Sequence, residues 1–162
     1  MNREQFETNL KNVKKFTPEV YKNTMKITTP FFVLHKKLFD KGDELLINDF
    51  SINQTELDIL SSLYYMTDGT FTMSPTKLYE VMLFSSGGMT KVLKKLEDKK
   101  LIKRINNEQD KRSKLVQLTQ KGKETTSNSL KEVVGFENEY LSKLNEKEQE
   151  LFKNLLYKIL KE

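Results

Sequence analysis

The chain contains no cysteine, and that absence removes disulfide bonds, cysteine-ligated metals, thiol catalysis and cysteine-based peroxide sensing together. Histidine is nearly absent as well: His35 stands alone, which leaves no ligand cluster around which to build a zinc centre. No metal and no cofactor is expected. Glycine and proline are sparse, at six and three, a shortage that leans towards helix and away from disorder. No stretch approaches the roughly 20 unbroken apolar residues of a membrane helix, and Met1 to Lys15 lacks the apolar centre of a secretory signal. A cytoplasmic protein without a membrane partner is the expectation, and most enzyme classes lose their usual tools.

What the chain does have is charge, and its distribution is uneven. Residues 1–85 carry ten Lys/Arg against eleven Asp/Glu, and residues 122–162 carry seven against eight. Residues 86–121 carry eleven against four, so the whole of the net +5 lies in that segment. A basic block between slightly acidic flanks is the footprint of a polyanion site, because phosphate neutralisation and counterion release supply most sequence-independent affinity for DNA. Lys99 and Lys100, beside Asp98, read instead as an ordinary solvated face.

The apolar spacing organises the chain. Thr17-Pro18 reads as a cap followed by a first-turn proline, opening a long helix through Tyr21, Met25, Phe32, Leu34 and Leu38. Pro30 should kink or break it, and Gly42 marks its end. Asn53 with Glu56 three places on forms a capping pair ahead of Leu57, Leu60, Leu63 and Tyr64. Asp68-Gly69 turns the chain, and Ser74-Pro75 caps a short third helix through Leu78, Val81 and Met82. After Ser85-Ser86-Gly87-Gly88, the residues Met89, Val92, Leu93 and Leu96 fall at i, i+3, i+4 and i+7. They predict a helix whose outward side is small at first and cationic later. Residues 101–105 and 114–118 are β-capable and joined by a polar stretch suited to a hairpin. Thr119 then opens a further helix, and Asn145 with Glu148 caps a last one bearing Leu151, Phe152, Leu155 and Ile159. Residues 1–162 are read as one domain of mainly α class with a small β part: a winged helix-turn-helix at 51–120, with added N- and C-terminal dimerisation helices at 1–50 and 121–162.

That element order places one helix in a DNA major groove and the hairpin against an adjacent groove or backbone. Ser86, Gly87 and Gly88 present amides at a helix N-terminus, which suits a phosphate. They equally fit a plain cap with turn glycines. An arginine at a hairpin tip, here Arg112, suits a narrow, negative minor groove, with Asp110 restricting its rotamers. The alternative for that pair is an exposed ion pair of small energetic weight.

At this point the sequence resembles the MarR family of bacterial regulators. The likeness is carried by Ser85-Ser86-Gly87-Gly88-Met89-Thr90-Lys91-Val92-Leu93-Lys94-Lys95-Leu96-Glu97, then Leu101-Ile102-Lys103-Arg104, Asp110-Lys111-Arg112-Ser113 and Leu118-Thr119-Gln120-Lys121-Gly122, and runs from about Leu57 to Gly122. The resemblance implies a homodimer held by its terminal helices, a regulator and commonly a repressor, with two recognition helices on a pseudo-palindromic operator in double-stranded DNA. It implies that Thr90 and Lys91 lie in the major groove and that Arg112 enters the minor groove. The DNA-binding set is then Ser74, Thr76, Ser86, Gly87, Gly88, Thr90, Lys91, Lys94, Lys95, Arg104, Asp110, Lys111, Arg112 and Ser113. Release by a small aromatic or phenolic effector is also implied, with His35, Tyr64 and Tyr65 bordering its cleft. Lys100 departs from the pattern, standing where the family commonly has glycine, so a positive φ there is mildly strained.

Two other classes fit less well. A winged-helix protein-interaction module or a basic membrane-surface binder has no evident use for Gly87-Gly88 and Arg112, and a bilayer would need Met89, Val92, Leu93 and Leu96 free to insert. An enzyme built on Glu56 and Asp58 fails because residues two apart on a helix point to different faces.

Overall fold

The computed structural model describes residues 3–82, 88–108, 110 and 113–160. Two compact units divide the chain, Met1–Gly42 and Asp43–Glu162.

In the first unit, α1 spans Arg3–Phe16. Thr17 closes it, with its amide and its hydroxyl both donating to the Val13 carbonyl at 2.9 and 3.1 Å. This corrects the expectation of a helix opening at Thr17-Pro18: the hydroxyl turns backwards onto the helix already made, and residues 17–24 close as turns. The long helix α2 starts at Met25 and runs to Phe50. Pro30 lies six residues inside it and forfeits one main-chain bond, yet the helix continues. Gly42 does not end it either. A helical glycine costs only about 1 kcal/mol, less than the apolar residues that follow, Leu45, Leu46 and Phe50, contribute by packing on the core.

In the second unit, α3 spans Gln54–Tyr65 behind a complete capping box in which Asn53 Oδ1 accepts from Glu56 N–H and Glu56 Oε2 accepts from Asn53 N–H, each at 2.9 Å. Asp68, Gly69 and Phe71 then take positive φ and reverse the chain into a two-residue strand, β1, Thr72–Met73, which the sequence pattern did not predict. Helix α4, Pro75–Val81, is capped by Ser74 Oγ accepting from Lys77 N–H at 3.1 Å. Helix α5 covers Met89–Asp98, followed by strands β2, Ile102–Asn106, and β3, Lys114–Leu118. β3 is central in an antiparallel sheet of order β1-β3-β2, with Thr72 opposite Gln117 and Arg104 opposite Val116. Helix α6, Gln120–Leu141, and α7, Glu146–Leu160, complete the unit, the latter capped reciprocally by Asn145 and Glu148.

The fold is mainly α with a β wing, as the sequence reading proposed. One core, including Leu46, Ile59, Leu60, Leu63, Leu78, Leu93, Leu96, Ile102 and Val116, joins α3, α4, α5 and the sheet. Each unit also leaves apolar side chains uncovered. In the first these include Phe16, Ile27 and Phe32; in the second Val134, Leu151, Leu155, Tyr157, Ile159 and Leu160, and α7 has no buried residue. Among the described residues no helix is long and apolar enough to cross a membrane.

Candidate nucleic-acid interface

Helix α5 has the strongest division between faces. Met89, Leu93 and Leu96 are buried and Val92 is half-buried, while Thr90, Lys91, Lys94 and Lys95 are all exposed. The 3.6-residue period places those four on one side of the cylinder. The apolar side is consumed by the core, so the outward face carries three ammonium groups, none of them in an ion pair among the described residues. Gly88 occupies the cap position and makes no side-chain capping bond. Ser86 and Gly87 lie outside the described residues.

The C-terminal end of α5 is held more elaborately. Lys100 takes φ 60, its N–H donates to the Glu97 carbonyl at 2.8 Å, and Leu101 N–H reaches the Leu96 carbonyl at 2.9 Å. These are the two bonds of a Schellman motif, with buried Leu96 and Leu101 supplying its apolar contact. The positive φ that the sequence suggested for this lysine is therefore present. Thr119 caps α6 by accepting from Gly122 N–H at 3.0 Å, and its hydroxyl donates to the Lys100 carbonyl at 2.7 Å. Thr119 N–H also reaches the Leu101 carbonyl, at 3.0 Å.

Not all eleven cations of the basic segment point outwards. Lys99 Nζ donates to both carboxylate oxygens of Glu56, at 2.7 and 2.8 Å, and Glu56 is only 2% exposed. The reading of Lys99 as a solvated side chain is thus overturned, because a buried carboxylate is costly unless paired and, among the described residues, Lys99 supplies the cation. Lys121 Nζ donates to the Lys99 carbonyl at 3.1 Å, where a cation meets the negative end of α5. Arg104 is partly buried with its Nε 3.9 Å from Glu97 Oε2. Lys100 and Lys103 are exposed, as is Lys114, whose ammonium bonds Asn106 across the hairpin.

At the wing, Ser113 closes a turn: its N–H and hydroxyl donate to the Asp110 carbonyl at 3.0 and 3.1 Å, and Asn107 Nδ2 donates to Ser113 Oγ at 2.9 Å. Lys111 and Arg112 lie outside the described residues. Ser74 is engaged as the α4 cap, and Thr76 is exposed on that helix's first turn. The effector candidates divide between the units. His35, in the first, stacks on Phe39 with ring centroids 6.1 Å apart. In the second, Tyr64 lies 4.8 Å from Tyr65 and 5.3 Å from Phe71, whose ring also carries Lys123 Nζ at 3.6 Å.

A shallow hollow of about 240 Å³ is lined by Asp58, Ser61, Ser62, Tyr65, Met66, Val81 and Met82. Burial pushes the Asp58 carboxyl above its ordinary value, opposed by a hydrogen bond from Gln54 at 3.1 Å. Glu56 and Asp58 thus have separate partners on separate faces of α3.

The sequence reading passed over Gly122. A Cβ there would lie 2.0 Å from the Leu101 carbonyl oxygen, so only glycine lets α6 start against the end of α5. Its place within Leu118-Thr119-Gln120-Lys121-Gly122 was visible, but the neighbour it must avoid was not.

Comparison with known proteins agrees with this geometry. The MarR family model matches residues 52–114. An uncharacterized HTH-type transcriptional regulator, YdgJ of Bacillus subtilis, is 31% identical over 105 residues; the alignment covers 65% of this chain and 62% of that protein, less than two thirds of its length. The HTH-type transcriptional regulator PecS of Dickeya dadantii is 26% identical over 124 residues, 76% of this chain and 74% of that protein. Among solved structures, a mutant MarR of E. coli complexed with operator DNA superposes with a TM-score of 0.65 at 25% identity, covering 87% of this chain and 100% of that one.

Proposed function

We propose that the chain is a transcriptional regulator of the MarR family, whose model matches residues 52–114, and that it binds duplex DNA through α5 and the wing. The observation that carries the reading is the division of α5: an apolar side spent on the core and an outward side of Thr90, Lys91, Lys94 and Lys95. A helix of this width fits a major groove about 12 Å across, and lysines beside it meet phosphates. Thr90 and Lys91, nearest the glycine-marked start, are the base-reading positions; Lys94 and Lys95 hold the backbone. Ser74, Thr76, Gly88, Arg104, Asp110 and Ser113 complete the contact surface, with Ser86, Gly87, Lys111 and Arg112 assigned to it from the sequence alone.

The uncovered apolar residues of α7 support a homodimer, since Phe152 and Leu156 are only partly covered within the chain and Leu151, Leu155, Ile159 and Leu160 stay exposed. Two copies present two α5 helices, which matches a pseudo-palindromic operator and repression by occupancy. Release by a small aromatic or phenolic effector is part of the proposal. Tyr64 and Tyr65, which form an aromatic pair with Tyr65 exposed, are the residues assigned to it in the second unit.

The test is a band shift at fixed salt on a duplex selected by the parent protein from a randomised pool. Lys91→Ala and Lys94→Ala are each expected to weaken binding, and Lys94→Ala to lower the slope of log affinity against log salt by about one. Parent-like binding by both variants rejects the interface. Addition of simple phenols to the parent complex tests release, and an unchanged shift at millimolar phenol rejects that part.

A further inference from the structure

We propose that the Glu56–Lys99 pair is a positioning clamp that sets the tilt of α5, so that Glu56 governs discrimination between DNA sequences without touching DNA. The inference rests on the reading of α5 as the recognition helix. It starts from an oddity of placement. Glu56 already has work to do as the reciprocal half of the α3 capping box, accepting Asn53 N–H at 2.9 Å. A capping glutamate does that at the surface. This one is 2% exposed, and both its oxygens also bind an ammonium that arrives from 43 residues away.

Stability alone does not account for such a pair. Desolvating a carboxylate and an ammonium costs about as much as their attraction returns, and apolar replacements of similar volume are often as stable. What a two-oxygen pair supplies is direction. It joins the first turn of α3, rooted in the core through Leu57 and Leu60, to the residue that ends α5. The two ends of α5 are held differently. At its start Gly88 gives no side-chain cap, and among the described residues the buried Met89 and Leu93 fix its position. At its end Lys99 is gripped twice, by Glu56 through its side chain and by Lys121 through its carbonyl.

The clamped end therefore acts as a pivot for the reading end. Lys91 precedes Lys99 by eight residues, or about 12 Å along the axis. A tilt of about 5° at Lys99 displaces Lys91 by about 1 Å, enough to take a hydrogen bond to a base edge outside its working range of 2.7–3.2 Å. Phosphate contacts made by flexible lysine stems follow such a shift; bidentate base contacts do not. Loss of the clamp should then lower sequence discrimination and spare general DNA affinity.

The experiment compares the parent with Glu56→Gln, which keeps the shape and an acceptor for Asn53 while removing the charge, and with Lys99→Arg, which keeps a two-pronged cation. Affinities are measured at several salt concentrations for a duplex selected by the parent from a randomised pool and for poly(dI-dC). Glu56→Gln is expected to lose about tenfold on the selected duplex, the low end of one base contact, with less than twofold change on poly(dI-dC) and an unchanged salt slope. Lys99→Arg should stay within twofold of the parent on both. If Glu56→Gln proves too unstable, the pair Glu56→Gln with Lys99→Gln replaces it and carries the same expectation. An unchanged ratio of selected to unselected affinity overturns the clamp. So does an equal loss on both duplexes, which marks a purely structural contact, or, in the pair carrying Lys99→Gln, a slope lower by about one, which marks Lys99 as a phosphate ligand. If the parent binds neither duplex, the DNA-binding reading itself fails, and the clamp falls with it.

Discussion

Replacing Gly122 with alanine should unfold far more of this protein than adding a methyl group normally does. The new Cβ would sit 2.0 Å from the Leu101 carbonyl oxygen and 3.0 Å from its carbon, with Leu118 Cδ2 at 3.3 Å. Since carbon and oxygen do not approach within about 3 Å, the two backbones must separate by roughly 1 Å. Neither yields easily. The Leu101 carbonyl accepts Thr119 N–H at 3.0 Å, the Leu101 side chain is buried, and the Leu101 amide closes the end of α5. Overpacking costs about 1–3 kcal/mol and a strained or lost hydrogen bond about 0.5–1.5 kcal/mol. Alanine recovers up to about 1 kcal/mol in helix propensity. The balance is a destabilisation of about 0.5–4.5 kcal/mol, centred on about 2.5 kcal/mol, a large share of a typical total of roughly 5–15 kcal/mol. Gly135, exposed on the same helix with nothing within 4 Å of its absent Cβ, supplies the control. There alanine should stabilise by about 0.5–1 kcal/mol. Urea unfolding at one fixed protomer concentration reads both, with the m-value checked for constancy. A Gly122→Ala variant as stable as the parent, or one that moves in the same direction as Gly135→Ala, would refute the reasoning.

Three further outcomes follow from the same geometry. Lys100 is exposed at φ 60, where a side chain costs about 1–2 kcal/mol; Lys100→Gly should raise stability by about 0.5–1 kcal/mol once the looser unfolded chain is counted, seen as a higher urea midpoint. Asp58 has its folded pKa raised by burial, so the folded state holds more protons than the unfolded one just above the ordinary value of 3.8, and stability falls as pH rises through that interval. Asp58→Asn should accordingly raise the urea midpoint at pH 7 and lose that advantage in acid below 3.8; an advantage that persists in acid would contradict the assignment. Ile159, 76% exposed within the chain on a helix with no fully buried residue, should tolerate aspartate as a folded monomer, and sedimentation of Ile159→Asp at the parent's rate would reject the dimer.

Local chemistry was the legible part of this molecule. The capping box at Asn53 and Glu56, the Ser74-Pro75 start of α4, the Thr119 cap and the amphipathic period of α5 each depend on residues within one or two turns of each other, and each appears where the spacing placed it. The turn at Asp68-Gly69 and the positive φ of Lys100 were readable for the same reason. Helix ends that depend on competition were not. Thr17 has forward and backward partners available, and the sequence cannot rank them; Gly42 is a breaker only if packing downstream is too weak to carry the helix past it. The two-residue strand β1 has almost no pattern of its own and exists because Gln117 and Val116 of β3 lie opposite it.

The candidate site divides along the same line. By itself the sequence determined that a basic segment exists, which of its residues share the outward face of α5, and that no thiol accompanies them, because charge, helical period and composition are properties of neighbours in the chain. Only the tertiary structure decided which cations remain for a polyanion and which are spent internally. Lys99 looked like a solvated side chain, as Lys100 did, until Glu56, 43 residues earlier, was brought to 2.7 Å, and Gly122 looked like any helical glycine until Leu101 closed over it. Desolvation and steric exclusion act through space, and chain folding alone sets which distant groups share it.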